Sequence, residues 1–373
     1  MSHELIAVLT ADWHIRRMPY IWADHPDLVG DIDYGIRQVA NIVEQLSPRA
    51  VVLAGDIFNE KLQRSTALAT MQRFLSAADA ASCRVLYVQG QHELSQPPII
   101  STLSHAATHL TDTPIEVGNL AFAGLDYQHP SEVVEAVGKV AAADVFVTHQ
   151  VWKDLMGDVL GDVWLDACQE HRLIVSGDFH CGMYREFGSK CLPFVSPGPL
   201  CRQKINENAP KRVYLLYDDL HVEPRRLLER QCFMWYVNSE ADLDSLLARW
   251  DESQVSQPQP HVPPEIEKNI VWVQVRADIP DAVELIRRRA GDSVHLFISV
   301  SPPEQGPAVA IPKDKRDHIV AGGGKEALLR GLAELYRDDE AVYQNAVRLV
   351  RAADPVTEAK AIFEELVGET SET

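Results

Sequence analysis

The segment VLTADWHIRR, residues 8–17, is an apolar run that stops on Asp12, Trp13 and His14. Its apolar and β-branched residues predict a buried strand. A carboxylate and an imidazole two residues apart, directly after that strand, are side chains that bind protons and metal ions. The segment therefore predicts a strand that presents functional groups at its carboxyl end.

The same kind of ending follows four later apolar runs. A single motif of this kind is weak, because caps and turns use aspartate freely and many histidines are hydrogen-bonded core residues. Five in succession favour one polar site, since ligands of α/β sheets collect outside the carboxyl ends of the strands. The later runs are VVLAGD (51–56), LYVQGQHE (86–93), VFVTH (145–149) and LIVSGDFH (173–180).

Strands and helices alternate along the first half of the chain. In the first helical pattern, Ile32, Ile36, Val39, Val43 and Leu46 form one apolar stripe. Such alternation predicts an α/β fold in which helices cover both faces of a sheet. In this first half the predicted strands are 4–11, 50–54, 84–89, 120–125, 144–148 and 172–176, and the predicted helices are 31–46, 65–80 and 131–142. Further strands are predicted at RVYLLYD, LHVEPRRLL, NIVWVQVRA and SVHLFISVS, and further helices at EADLDSLLARW and DAVELIRRRA.

The pattern changes after residue 193, and the chain as a whole divides into four predicted parts. Residues 1–225 form the first domain, and residues 226–302 mix strand and helix like a small α+β accessory domain. Residues 303–324 have the Pro and Gly content of a hinge linker. Residues 325–373 carry apolar stripes at helical spacing, which predicts a helical segment.

The overall composition limits the class of protein. The formal net charge of −19 disfavours a general nucleic-acid binder, because phosphate affinity comes mainly from Lys and Arg. It does not exclude one, because carboxylates that hold divalent cations attract phosphate. The sequence has no stretch apolar enough to span a membrane and no basic leader, so a cytosolic protein is expected. Its six cysteines include no CxxC pair, which predicts reduced, mostly buried thiols.

Asp, His and carboxamide groups together suit divalent ions such as Mn²⁺, Fe²⁺ or Zn²⁺. Two such ions that share a bridging carboxylate can polarise a phosphoryl oxygen and activate water. A histidine beside the ions that is not itself a ligand can protonate a departing alkoxide. The constellation thus indicates phosphoester hydrolysis.

In order along the chain, the motifs D-x-H, G-D, G-Q-H-E, a lone His and G-D-F-H resemble the signature of the calcineurin-like metallophosphoesterases. Within that family the chain looks most like the SbcD-type DNA-repair nucleases, including phage-encoded versions. GDIFNE (55–60), FVSPGPL (194–200) and the accessory domain with its helical tail carry this closer resemblance. By motif the resemblance covers about residues 1–225, and the rest of the chain is matched only in layout. It implies a two-sheet sandwich flanked by helices, a small α+β capping domain and a C-terminal helical segment.

The resemblance also implies roles for single residues. His92 would be the acid that protonates the leaving group, and Asp56 would bridge two divalent ions, most typically Mn²⁺ with Mg²⁺ as the alternative. The implied metal ligands are Asp12, His14, Asp56, Gln91, His149, Asp178 and His180.

Two positions depart from the family pattern, which has Asn in place of Gln91 and His in place of Asp178. Gln is one methylene longer, and Asp exchanges an imidazole for a harder oxygen donor. Both changes affect the ligands that the resemblance assigns to the second of the two metal ions. They imply a site that still binds metal but prefers Mn²⁺ or Mg²⁺ to softer ions; a catalytically weakened site is the alternative.

The implied function is a metal-dependent DNA phosphodiesterase, an exo- or endonuclease that forms the nuclease subunit of an SbcCD-like DNA repair complex. Its implied partners are DNA, an SbcC-type coiled-coil ATPase gripped by the C-terminal helices, and a second copy of the chain. The implied location is the cytoplasm of a bacterial or phage-infected cell, away from membranes. Candidate DNA contacts, each equally readable as a solvated surface charge, are Arg16, Arg17, Lys61, Arg64, Arg202 and Lys204.

Three alternatives stay open at this point. The chain could hydrolyse small phosphomonoesters or cyclic nucleotides with the same metals, although such an enzyme needs neither accessory domain nor helical tail. It could also be a non-catalytic scaffold with the same fold, an alternative that Gln91 and Asp178 keep open. The tail helices, finally, could fold back on the parent domain rather than bind a partner.

Overall fold

The structure, a computed structural model, describes residues 3–15, 30–61, 65–152, 155, 165–188, 190–203, 207, 209–250, 267–276 and 279–300. The strands in chain order are β1 (Leu5–Thr10), β2 (Ala50–Ala54), β3 (Arg84–Val88), β4 (Ala107–His109), β5 (Ile115–Val117), β6 (Leu120–Leu125), β7 (Val145–His149), β8 (Leu173–Gly177), β9 (Met183–Phe187), β10 (Leu192–Ser196), β11 (Arg212–Tyr217), β12 (Val222–Arg226), β13 (Cys232–Val237), β14 (Ile270–Val275) and β15 (His295–Val300). The α-helices are α1 (Gly30–Leu46), α2 (Ser65–Ala80), α3 (Ile99–Leu103), α4 (Val133–Val137), α5 (Glu240–Arg249) and α6 (Ala282–Ala290), and a short 3-10 helix spans Leu165–Cys168.

Two six-stranded sheets form the main body of the fold. The first has the order β12-β11-β1-β2-β3-β4 and the second the order β5-β6-β7-β8-β10-β9. Strands β1 to β4 run parallel, as do β6, β7, β8 and β10. The other pairings, β11 with β1, β12 with β11, β5 with β6 and β9 with β10, are antiparallel. In each sheet the carboxyl ends of the parallel strands therefore lie along one edge.

Alternate residues of the central strands face two different apolar layers. In β1, Val8 belongs to the cluster that contains Val39 of α1 and Phe74 of α2. Its neighbour Leu9 belongs to the cluster that contains Val147 of the second sheet. The first sheet therefore packs on helices with one face and on the second sheet with the other.

The second sheet is covered in the same way on its outer face. Phe146 of β7 and Ile174 of β8 share a cluster with Val133 and Val137 of α4 and with Leu165 of the 3-10 helix. The predicted α/β fold of two sheets flanked by helices is confirmed. The expectation from the pattern alone, one sheet with helices on both faces, is wrong, because each sheet uses its second face to pack on the other.

A third sheet follows, with the order β13-β14-β15 and all strands parallel. Helices α5 and α6 cover one of its faces, where Val273 shares a cluster with Leu246 and Ile286. A buried ion pair ties this region to α1: Arg230 Nη2 lies 2.7 Å from Asp31 Oδ1. The domain boundaries inferred from the sequence stay a prediction.

The helix predicted over 131–142 is shorter, because α4 ends at Gly138, whose N–H donates to the carbonyl oxygen of Val134 at 3.2 Å. Strands β4, β5, β9, β10 and β13 were not predicted. The predicted linker 303–324 and helical segment 325–373 lie outside the described residues.

All six cysteines are free thiols, three of them buried. Within the described ranges, no helix combines the length and the apolar character that crossing a membrane requires.

Candidate metal centre

The five strand ends singled out by the sequence come from both large sheets. β1, β2 and β3 belong to the first sheet, and β7 and β8 belong to the second. Strand β2 contacts both β7 and β8 across the sandwich. The carboxyl ends of the two sheets therefore meet, and the side chains that follow them share one polar site.

The backbone at these strand ends takes an uncommon conformation. Asp12, His14, Asp56 and Asp178 have φ values of 53°, 45°, 49° and 72°, in the left-handed region. Asp and His tolerate this region better than most residues other than glycine, and such strain typically persists where a site over-determines it. Gly90 is needed for a different reason, since a Cβ at this position would overlap the carboxylate of Asp56.

Three overlapping groups of potential ligand atoms lie at this edge. Within each group the nitrogen and oxygen atoms lie within 4.8 Å of one another. Two imidazole nitrogens, Nε2 of His14 and Nε2 of His180, approach to 3.1 Å. The groups are Asp12–His14–His180, Asp12–Asp56–His149 and His14–Asp56–His92.

The burial of these groups makes them a fit for divalent cations. Asp12 and His149 are 0% exposed and Asp56 is 1% exposed. Within the described part of the chain, Asp12 Oδ2 has no hydrogen-bond partner, and His149 Nε2 has the Asp56 carboxylate as its nearest acceptor, at 3.3 Å. Buried polar atoms without partners are costly unless a bound group satisfies them. Carboxylate and imidazole donors of this kind fit two divalent ions. Asp12 and Asp56 each belong to two of the groups, and Asp56 is the carboxylate that lies within 4 Å of three imidazoles, those of His14, His92 and His149, so it is the better candidate for a shared ligand.

His149 is oriented by its main-chain contact. Its Nδ1 lies 2.7 Å from the carbonyl oxygen of Ala54, which can only accept, so Nδ1 donates and Nε2 faces the carboxylates. Nε2 lies 3.3 Å from Asp56 Oδ2. Burial alone would lower the pKa of His149, but Asp56, Asp12 and Asp178 outweigh it and raise the pKa to about 10. A divalent cation would therefore displace a proton from this ring.

The two central carboxylates respond differently to the same surroundings. Burial raises the pKa of Asp12 to about 6, against the fields of His149 and His180. Burial also acts on Asp56, but the imidazoles of His149, His14 and His92 hold the pKa of its carboxyl below the usual range. Asp56 is thus the carboxylate most firmly held in its charged, ligating form.

Gln91 and Asp178, the two positions that differ from the motifs of the resembled family, contact each other. Gln91 Nε2 donates to Asp178 Oδ1 at 3.0 Å, and this oxygen lies 3.9 Å from His149 Nε2. The main-chain N–H of Asp178 donates to Asp12 Oδ1 at 2.9 Å. Gln91 Oε1 is buried and has no partner among the described residues, so an oxygen ligand is available at this position.

His92 lies on the open side of the site. Its Nδ1 lies 3.1 Å from the carbonyl oxygen of Asn59, so this nitrogen donates and Nε2 turns inward, 3.7 Å from Asp56 Oδ2. The His92 side chain is 42% exposed, whereas that of Asp56 is 1% exposed. His92 is therefore placed to meet a bound substrate. Trp13, by contrast, is buried, donates to Thr10 and packs edge-on against a phenylalanine beneath the site.

The candidate DNA contacts are only partly described. Lys61 is exposed, as a phosphate contact requires. Arg202 is only 8% exposed and donates to the main-chain oxygen of Glu207, which does not favour the predicted contact at the cleft mouth. The remaining four, Arg16, Arg17, Arg64 and Lys204, lie outside the described residues.

Two carboxylates near the ligands were missed by the sequence reasoning. Glu93 is buried; its Oε1 accepts hydrogen bonds from the N–H groups of Gly90 and Ile57 at 2.8 and 3.3 Å and so ties two strand-end loops together. Burial, together with Asp56, raises the pKa of Glu93 to about 8. Its place at the end of the GQHE motif is a signal that could have revealed it.

Glu207, the second carboxylate that the sequence reasoning missed, lies in no sequence motif that could have revealed it. Its Oε1 lies 3.1 Å from Nδ1 of His180, and its Oε2 lies 2.7 Å from Nζ of the buried Lys211. Burial would raise the pKa of this carboxyl, but His180 and Lys211 lower it to about 2. Glu207 is therefore a charged carboxylate that orients His180 and leaves its Nε2 for the site.

Replacing Glu207 with glutamine is expected to weaken metal binding by about 10- to 100-fold, the usual effect of losing a carboxylate behind a ligating histidine. The change also leaves Lys211 buried without its partner, which destabilises the fold by about 3–5 kcal/mol. The double variant Glu207→Gln/Lys211→Met removes that unpaired charge and should recover thermal stability but not metal affinity. Competition with a chelator measures the affinity, and wild-type affinity in both variants would contradict the role.

No protein-family model and no curated protein sequence matches this chain. The structure is similar to a dimetal phosphatase from Danio rerio, 14% identical, with a TM-score of 0.42 over 61% of this chain and 98% of that one. A second similar structure is TT1561 of Thermus thermophilus, 10% identical, with a TM-score of 0.37 over 60% and 98%. A third is the nuclease MPE of Pseudomonas putida, 13% identical, with a TM-score of 0.29 over 59% and 87%. With TM-scores this low, assignment of an activity rests on the geometry of the site itself.

Proposed function

We propose that this chain is a calcineurin-like metallophosphoesterase of the SbcD type, a divalent-metal-dependent phosphodiesterase that cleaves DNA. The observation that carries the proposal is the convergence of Asp12, Asp56 and His149, all buried, with His92 open beside them. Two ligand groups that share Asp56, with a partly exposed histidine in one of them, are more than a structural ion pair requires. Hydrolysis of a phosphoester is the reaction that uses both features.

The residues divide into those that would hold the cations and one that would move a proton. Two divalent cations, when bound, supply Lewis acidity toward a phosphoryl oxygen and lower the pKa of water. Asp12, His14 and His180 would hold the first, and Asp56 would be shared with the second. The second would also take His149 and the oxygens of Gln91 and Asp178.

His92 would complete the reaction. Its Nδ1 proton is held by the carbonyl oxygen of Asn59, so the proton that can be transferred is the second proton of the imidazolium form, on Nε2; after the transfer the ring is neutral and keeps its proton on Nδ1. In a phosphodiester the leaving group is a sugar oxygen, which departs poorly as an alkoxide. Protonation by His92 at that oxygen lowers the barrier, as expected for a general acid.

The cations we propose are Mn²⁺, with Mg²⁺ as the alternative. The carboxylate at position 178 and the amide at position 91 are oxygen donors, which suit harder ions better than imidazole does. A hydrogen bond of 3.0 Å joins the two side chains, so a substitution at either position also changes the orientation of the other side chain.

Replacing Asp178 with histidine is expected to shift the preferred metal from Mn²⁺ or Mg²⁺ toward softer ions by about tenfold or more in relative activity. The physical reason is the exchange of an oxygen for an imidazole ligand and the loss of one negative charge. Activity measured across a series of divalent ions tests this. Asp79→His, at an exposed position on α2, is the matched control, and an unaltered metal profile in Asp178→His would count against the assignment.

Three substrates separate the proposal from its alternatives. Bis-p-nitrophenyl phosphate, a mononucleotide and linear duplex DNA are compared in Mn²⁺ with the intact protein. The proposal requires cleavage of DNA together with the diester. Turnover of the mononucleotide alone would indicate a small-substrate phosphatase, and background rates on all three, with metal bound, would indicate a scaffold.

We also propose the assembly that the family resemblance implies: a homodimer that binds an SbcC-type coiled-coil ATPase through residues 325–373, in the cytoplasm of a bacterial or phage-infected cell. The support is the apolar stripes of that segment at helical spacing. Co-purification of the intact protein with a coiled-coil fragment of such an ATPase tests it. Loss of complex formation on replacing Leu328 and Leu332 with Asp is expected, and an unchanged complex would contradict the assigned surface.

A further inference from the structure

Arg212 and Arg226 lie opposite each other in the first sheet, at the edge where the candidate metal centre lies. In the antiparallel pairing of β11 with β12, Arg212 is the direct partner of Arg226. Strand β11 is also antiparallel to β1, with Tyr214 opposite Leu9. Arg212, the first residue of β11, therefore lies at the carboxyl end of β1, where Asp12 follows.

The register also fixes the face on which they lie. Tyr214 belongs to the apolar cluster between the two large sheets, whereas Val213 belongs to the cluster under α1 and α2. Arg212 shares the face of Tyr214, because side chains two apart on a strand point the same way. Arg226 shares it too, as the direct cross-strand partner. Both arginines thus lie on the inter-sheet face, at the open end of the sandwich.

The backbone around His180 brings Arg212 close to the metal centre. A Cβ placed on Gly182, two residues after His180, would lie 3.1 Å from Cγ and 3.3 Å from Cδ of Arg212. The stem of Arg212 therefore runs along the segment that delivers a candidate ligand. Its guanidinium has one contact to the main chain: Nε donates to the carbonyl oxygen of Pro210 at 3.3 Å.

Charge makes this pair unusual in its neighbourhood. Nearby, Arg230 is neutralised by Asp31 and Lys211 by Glu207. Among the residues that the structure describes, no ion pair joins Arg212 or Arg226 to a carboxylate, although Arg226 acts on Glu229 at longer range, where it opposes the rise that burial causes in the pKa of that carboxyl. Like charges directly opposite on neighbouring strands repel each other, and an external anion placed between the two guanidinium groups would relieve that repulsion.

The geometry points to Arg212 and Arg226 as an arginine pair that binds the sugar–phosphate backbone of DNA beside the metal centre. The inference rests on the proposed function and names how its substrate is held. Guanidinium groups bind phosphate oxygens through two parallel N–H bonds. A small phosphoester has no second phosphate to place on this pair, whereas DNA carries one at every nucleotide. The arginine pair would thus distinguish a polynucleotide from a small substrate.

The test is the salt dependence of DNA binding. Affinity of the intact protein for a labelled DNA duplex is measured by fluorescence anisotropy over a series of KCl concentrations, in Ca²⁺ so that the carboxylates of the metal centre are occupied, and gel analysis after each titration checks that the DNA is uncut. Each phosphate contact contributes about 0.9 to the slope of log affinity against log salt concentration. The double variant Arg212→Gln/Arg226→Gln should therefore show a shallower salt dependence, with the magnitude of the slope smaller by about 2 than in wild type.

Arg225→Gln is the matched control. Arg225 is an exposed neighbour on the same strand, but it lies opposite Val213 and so on the other face. It should keep the wild-type slope. If the double variant folds poorly, the single variant Arg226→Gln takes its place, because it lies at an exposed position and leaves the contacts of Arg212 intact. It should reduce the magnitude of the slope by about 1. Equal slopes in wild type and the arginine-pair variants, or an equal loss in Arg225→Gln, would overturn the inference.

The nuclease proposal and the arginine-pair inference can fail separately, and the cleavage assays and the salt slopes show which of them has failed. If the wild-type protein with Mn²⁺ cleaves neither DNA nor bis-p-nitrophenyl phosphate, yet the slopes separate as expected, the arginine pair binds DNA and the catalytic assignment is wrong. If DNA is cleaved but the slopes coincide, the nuclease assignment stands and the arginine pair does not hold its substrate.

Discussion

Replacing His92 with alanine is expected to slow DNA hydrolysis by roughly 100- to 10,000-fold, the range for loss of a general acid. The ring is held through Nδ1 by the carbonyl oxygen of Asn59 at 3.1 Å, so only Nε2 can deliver a proton into the site. Metal content should stay close to that of the wild type, because the buried ligands Asp12, Asp56 and His149 are untouched. Steady-state kinetics and elemental analysis of the purified variant measure both.

A second substrate sharpens this expectation. The p-nitrophenolate of bis-p-nitrophenyl phosphate departs without a proton, so His92→Ala should lose less activity on it than on DNA. His221→Gln, an exposed histidine in the turn between β11 and β12, is the control and should match wild type on both. An equal loss on the two substrates, together with lost metal, would mean that His92 is a ligand, as its group with His14 and Asp56 would allow.

Much of the fold could be predicted because the strands that build the site are buried along their whole length. Every residue of β2, β7 and β8 is buried, so each reads as a short apolar run that ends abruptly on a polar residue. Such a run identifies both the strand and the point where it ends. The convergence of five strand ends followed from this and from the general position of ligand sites in α/β folds.

The division into two sheets could not be read from the same pattern. A parallel strand buried on both faces looks the same whether helices or a second sheet cover it, so Leu9 gives no hint that it packs on Val147. The edge strand β9 escaped for the opposite reason: Tyr184, Arg185 and Glu186 are exposed and show no apolar run. The short α4 was overestimated because its pattern continued past Gly138, where the helix ends.

Contacts between single side chains of the site could not be predicted from the sequence either, although several of the residues could. Asp12, His14 and His180 were found because motifs surround them. The hydrogen bond between Gln91 and Asp178 joins residues 87 apart in sequence, and the contact of Glu207 with His180 joins a loop to a strand end. Both depend on tertiary packing, so no local pattern could reveal them.

Replacing Asp56 with asparagine is expected to lower both the rate of hydrolysis and the amount of bound metal. Asp56 belongs to two of the three ligand groups, and its Oδ2 lies 3.3 Å from His149 Nε2 and 3.8 Å from His14 Nε2. Asparagine keeps the shape and one oxygen but not the charge that could bridge two cations. Loss of about 4 kcal/mol of Lewis-acid stabilisation corresponds to roughly a 1000-fold lower rate. Elemental analysis should show the bound metal reduced as well.

A readout independent of activity checks the same variant. In the metal-free protein the pKa of His149 stands at about 10: burial would lower it, but the carboxylates led by Asp56 raise it. Removing that charge must lower the pKa, so an NMR titration should show His149 losing its proton at lower pH in Asp56→Asn. Asp144→Asn is the control, since Asp144 pairs with Arg172 before the start of β7, at the opposite end of the sheet. Wild-type metal content and an unmoved His149 titration in Asp56→Asn would remove the basis for a shared carboxylate, and with it the two-cation chemistry.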